Sequence, residues 1–94
     1  MKFWDSSAVV PLLVVEPGTA EREKQLRADP VMLVWWGTSI ECASALQRLV
    51  REGALRADEA RVADARLRQL ERMWVEIEPR QTVRMQAERL LRIH

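Results

Sequence analysis

Val31-Met32-Leu33-Val34-Trp35-Trp36, followed by Gly37 and Thr38, is the stretch on which the fold turns. An apolar run without polar alternation is the pattern of a strand covered on both faces, as in a parallel sheet. Trp35 and Trp36 then face opposite sides of that sheet and pack as core residues. Gly37 and Thr38 turn the chain into a helix whose Cys42, Leu46 and Leu49 share one side, and Gly53 ends it.

Working outward, residues 1–4 form a second short apolar run, suited to a buried strand, that stops at Asp5. Ser6 or Ser7 is placed to cap a helix over residues 8–15, which Pro17 and Gly18 break. Pro11 fits that helix only within the first turn, where its missing N–H costs little. Thr19 is placed to cap a polar helix over residues 20–27, closed by Asp29 and Pro30. Beyond Gly53, residues 56–72 read as a longer helix with Ala60, Ala63, Leu67 and Leu70 as its buried stripe. Asp64 and Arg68 form an i, i+4 pair on its wet side. Residues 73–77 suit a third strand, followed by Pro79, and residues 82–93 suit a helix with Val83, Ala87, Leu90 and Leu91 at helical spacing. Strands alternating with helices predict an α/β fold: a short parallel sheet of three strands, flanked by helices in right-handed crossovers.

The 94 residues allow one domain. With 48% hydrophobic and 31% charged residues the balance is that of a folded globular chain. A formal net charge of +1 excludes a partner chosen by bulk charge alone. The charge is uneven, however. Residues 1–47 carry four basic and six acidic groups, whereas residues 48–94 carry eleven basic and eight acidic ones. Arg61, Arg68 and Arg72 share a helix face, which reads as a solvated, salt-bridged surface before it reads as a phosphate-binding one. The single Cys42 excludes an internal disulfide and, with no His near it, a zinc site. It sits on an apolar helix face as a small core residue, and His94 has no ligand partner. The apolar runs are too short to span a bilayer, and Glu16-Pro17-Gly18 replaces any signal cleavage site, so a cytoplasmic location is expected.

Two residues stand where chemistry collects in parallel sheets, beyond the carboxyl ends of the strands. Asp5 follows the first strand directly, and Glu41 lies in the first turn of the helix after the second. If those strands are neighbours, both carboxylates face one crevice, where a cation offsets their repulsion. Hard oxygen ligands suit Mg²⁺ or Mn²⁺. Each residue also has a purely structural role open to it. Thr38-Ser39-Ile40-Glu41 is a T-x-x-E capping box, and Asp5 is a good helix cap.

Met1-Lys2-Phe3-Trp4-Asp5-Ser6-Ser7-Ala8-Val9-Val10, with Glu16-Pro17-Gly18 after it, resembles the opening of PIN-domain ribonucleases, including VapC-type toxins. Thr38-Ser39-Ile40-Glu41-Cys42-Ala43-Ser44-Ala45-Leu46 is similar to the family's second motif, and Trp74-Val75-Glu76-Ile77-Glu78-Pro79 to its third strand. The resemblance implies a PIN-like, doubly wound three-layer fold, an acidic cluster binding Mg²⁺ or Mn²⁺, and cleavage of RNA phosphodiester bonds. It makes Asp5 and Glu41 the first and second acidic residues, both catalytic and metal-binding. Ser6 would orient the first carboxylate or a metal-bound water. It also implies a cognate antitoxin as partner.

The family's third acidic residue opens a helix in an A-x-D-A-like segment, and no acidic residue here fits that pattern. Glu76 and Glu78 belong to the third strand and Glu88 is mid-helix. A single PIN-like domain over residues 1–94, incomplete at its C-terminus by two strands and at least one carboxylate, is therefore the expectation. The first strand then lies at an open edge that invites pairing with another chain, as a homodimer or other oligomer. The alternative function is a non-catalytic interaction or oligomerisation module. A phosphatase-like fragment with Asp5 as nucleophile fits less well, because Asp5-Ser6-Ser7 lacks a second Asp two residues on.

Overall fold

In the computed structural model, which describes residues 1–78, strand β2 (Met32–Trp35) is the middle of a three-stranded sheet. Strands β1 (Lys2–Phe3) and β3 (Val75–Ile77) flank it, both parallel to it. Helices α1 (Ser6–Leu13) and α2 (Thr19–Ala28) connect β1 to β2. Helices α3 (Thr38–Arg51) and α4 (Ala57–Met73) connect β2 to β3. The chain is thus α/β, as the alternation of apolar runs and amphipathic segments predicts. The predicted helix over residues 82–93, Glu88 and His94 lie outside the described residues.

Strand order decides which face of the sheet is covered. Both crossovers step in the same direction, from β1 to β2 to β3. Connections of one hand must then place their helices on one side. Met32 and Val34 point to that side and are buried with Trp4, Val9, Leu13, Cys42, Leu46 and Leu67 in the core. Leu33 and Trp35 alternate to the other side. The register aligns Phe3 with Leu33, Leu33 with Val75, and Trp35 with Ile77, so these five residues share the opposite face.

Two expectations are overturned here. Among the described residues β2 is fully buried on one face only: Met32 and Val34 are 2% and 0% exposed, while Leu33 and Trp35 are partly exposed between Phe3 at 43% and Val75 at 50%. Likewise β1 is not a buried strand, since Lys2 and Phe3 are both exposed and only Trp4, just beyond it, enters the core. Trp36 also lies past the end of β2 and is half-exposed, whereas Trp35 packs edge-on against Phe3 with ring centroids 5.7 Å apart.

Local chemistry explains the helix ends. Asp5 caps α1, so the helix starts at Ser6 and stops at Leu13, and Val15 is exposed outside it. Pro11 consequently falls in the second turn, not the first. It has no N–H to offer the Ser7 carbonyl, and its buried ring contributes to packing instead. The far end of α1 is held from a distance. The Arg66 guanidinium of α4 donates to the Leu13 carbonyl at 3.2 Å.

Thr19 does not cap α2, which follows Gly18. Its hydroxyl accepts from the Glu16 N–H at 2.8 Å and donates to the Val14 carbonyl at 3.0 Å, tying down the turn before the helix. No residue of α2 is buried, in keeping with its polar sequence, and it rests against α1 alone among the helices it touches extensively.

Gly53 ends α3 as expected. Its φ of +76° is left-handed and lets the N–H groups of Ala54 and Leu55 reach the Leu49 carbonyl at 2.9 and 3.1 Å. Helix α4 buries Ala63 and Leu67, with Leu70 partly buried beside them, and runs on through Met73. That leaves β3 shorter than the predicted strand, with Trp74 buried at the junction.

Candidate functional site

Asp5 and Glu41 come from different crossovers and both follow the carboxyl ends of neighbouring strands, β1 and β2. The backbone hydrogen bond from the Trp4 N–H to the Leu33 carbonyl, 2.8 Å, carries the pairing up to the residue before Asp5. Asp5 then caps α1. Its Oδ1 accepts from the Ala8 N–H at 3.0 Å and from the Ser7 hydroxyl at 2.6 Å. The Ser7 hydroxyl, and after it the Ala8 N–H, hold the Asp5 carboxyl below the usual carboxylate range, with Arg22 adding a favourable charge. The group is ionised at neutral pH, and among the described residues no hydrogen bond engages its Oδ2.

Glu41 behaves differently from the capping-box expectation. The residue at the cap of α3 is Gly37, one position earlier than the box requires, and no side chain caps this helix. The Thr38 hydroxyl is buried and without a hydrogen-bond partner among the described residues. Glu41 is therefore not spent on the backbone of its own helix. Its Oε2 accepts from the Ser6 hydroxyl across the gap between α1 and α3, at a long 3.4 Å.

Ser6 thus serves the second carboxylate, whereas the expectation joined it to the first. The partner of Asp5 is Ser7, which sequence reasoning missed. A hydroxyl two residues after an aspartate cap was the available signal, because the first turn of the helix folds it back onto the carboxylate.

A cleft of about 500 Å³ opens between α1 and α3, lined by Ser6, Ser7, Glu41, Ser44 and Arg48 among others. Its donors at the sheet edge are oxygens only. The thiol of Cys42 is fully buried, and desolvation pushes its pKa up to about 11, so it offers neither a thiolate ligand nor a nucleophile. Of Asp5 and Glu41 only Glu41 lines this cleft. Oxygen donors of this kind suit a hard divalent cation such as Mg²⁺ or Mn²⁺, which commonly takes one or two protein carboxylates and fills its shell with water and phosphate oxygens. Among the described residues no group of three or more His, Cys, Asp or Glu side chains could hold a metal. Glu76, in β3, accepts from Trp74 Nε1 on its Oε1 at 3.4 Å.

On the arginine face of α4, Arg68 pairs with Asp64 at 3.3 Å and with Glu71 at 2.6 Å, whereas no ion pair of Arg61 or Arg72 occurs among the described residues. No helix among the described residues is long and apolar enough to cross a membrane. Compared with known proteins, the chain matches no family model and no curated protein.

Proposed function

We propose that this chain is a metal-dependent endoribonuclease of the PIN-domain, VapC-toxin type, acting in the cytoplasm and restrained by a cognate antitoxin. One observation carries the reading. Adjacent parallel strands deliver two carboxylates to one sheet edge, and Glu41, released from helix capping, is bonded to the hydroxyl next to Asp5. A carboxylate that served only its own helix would have no reason to reach across to another.

In this reading Asp5 and Glu41 hold Mg²⁺ or Mn²⁺. When bound, such an ion stabilises charge on a phosphoryl group and lowers the pKa of water. The chain's own residues prepare the site for it. Ser7 and the Ala8 N–H keep Asp5 ionised through Oδ1, no hydrogen bond among the described residues takes Oδ2, and Ser6 orients Glu41. The third acidic residue implied by the family resemblance has no counterpart in a described cluster.

The same gap, with the half-exposed apolar sheet face, favours the second reading: a non-catalytic interaction or oligomerisation module. Cleavage of a mixed RNA with Mg²⁺ or Mn²⁺, beside EDTA and Asp5→Asn, separates the two. Cutting that requires metal and is lost in Asp5→Asn is the expected result, with a drop of about a hundredfold or more. A folded protein that leaves RNA intact in every metal overturns the ribonuclease reading.

A further inference from the structure

Glu41, Ser44 and Arg48 recur along α3 at intervals of three and four residues, so they form one stripe down the helix. All three line the cleft whose opposite wall carries Ser6 and Ser7. Arg48 lies seven positions after Glu41, which is about 10 Å of helix at 1.5 Å per residue. The cleft therefore has a carboxylate end at the sheet edge, hydroxyls between, and a guanidinium two turns away.

Arg48 is barely engaged by the protein itself. Its Nε lies 4.0 Å from Glu52, at the outer limit of an ion pair, and its side chain is 61% exposed. Such a pair is screened by water and contributes little. No other hydrogen bond or ion pair of its guanidinium occurs among the described residues. Glu16 also lines the cleft and is the charge a ligand there must avoid or have shielded.

We propose that Arg48 is a positioning residue for the nucleic-acid strand: its guanidinium holds a backbone phosphate flanking the one that a metal ion on Asp5 and Glu41 would engage. The proposal rests on the ribonuclease reading and adds the direction of the strand, along the α1–α3 cleft and away from the sheet edge. A planar guanidinium grips phosphate through two parallel N–H donors, which a lysine ammonium cannot reproduce.

The test measures binding and cleavage separately on one labelled single-stranded RNA. Anisotropy in EDTA gives Kd over a series of salt concentrations, and Mg²⁺ turnover gives kcat and KM. Arg48→Ala is expected to raise Kd and KM about three- to tenfold, leave kcat within about twofold, and lower the salt slope by about 0.7. Arg48→Lys recovers only part of the binding. Glu52→Gln, which removes the ion-pair partner without touching Arg48, binds as well as the parent or better. Unchanged Kd and KM in an Arg48→Ala protein that still cuts overturns the proposal alone. So does weakening by Glu52→Gln equal to that of Arg48→Ala, because the effect then belongs to the helix. A parent chain that neither binds nor cuts RNA overturns this proposal together with the ribonuclease reading.

Discussion

Along β2 the two faces of the sheet are built from the same kinds of residue and live in different solvents. On one, Val34 and Met32 are sealed beneath the helices. On the other, Val75 and Phe3 remain about half exposed beside Leu33 and Trp35. Composition does not distinguish them, because β2 is apolar at every position. What separates them is topology: two crossovers of one hand, stepping in one direction, cover a single side. An apolar strand reports that neither face prefers water. It does not report what lies over each face.

The sharpest way to break this comparison is to remove bulk from each side and weigh the loss. Leu67 is fully buried under the covered face, and Leu67→Ala is expected to cost about 2–5 kcal/mol in urea unfolding. Val75→Ala on the open face is expected to cost under about 1 kcal/mol. Comparable losses at the two sites would mean that the open face is covered in solution, and the contrast between the faces would fall.

A smaller effect sharpens the picture at the rim where the two faces meet. Asn caps helices about as well as Asp, so Asp5→Asn should leave neutral-pH stability nearly unchanged. At acid pH the proteins diverge. The folded-state pKa of Asp5 is lowered, so its contribution is present above the unfolded value and fades as pH falls through the folded one. Below about pH 4 the parent should therefore lose stability more steeply than Asp5→Asn. Parallel acid limbs in thermal melts of the two would remove the charge-dependent role assigned to the Ser7 and Ala8 hydrogen bonds.

What could be read from the sequence follows the range of the interactions involved. Gly53 at the end of α3 and the Ala63–Leu67 stripe of α4 are local features, set by a left-handed turn and by helical period, and both stand where the spacing puts them. The one-sided cover of β2 depends on strand order, which no window of residues contains. The start of α3 shows a subtler limit. Thr38 and Glu41 have the spacing of a capping box, yet Gly37 takes the cap position and shifts the frame by one. At the site, Asp5 and Glu41 were legible as carboxylates after consecutive strands, and the neighbouring strands bring them to one edge. Which serine attends which carboxylate was not, because Ser6 and Ser7 point to opposite partners from adjacent positions in one helical turn.

The bond from Arg66 to the Leu13 carbonyl joins residues 53 positions apart. A helix ordinarily finishes itself with groups close by in the chain, and α1 borrows its last donor from the second crossover instead. The short helix that carries Asp5, Ser6 and Ser7 is thereby tied to α4 in time as well as in space. Its closing turn is completed only once α4 has docked. Hydrogen exchange is therefore expected to find α1 and α4 opening together, although half the chain lies between them.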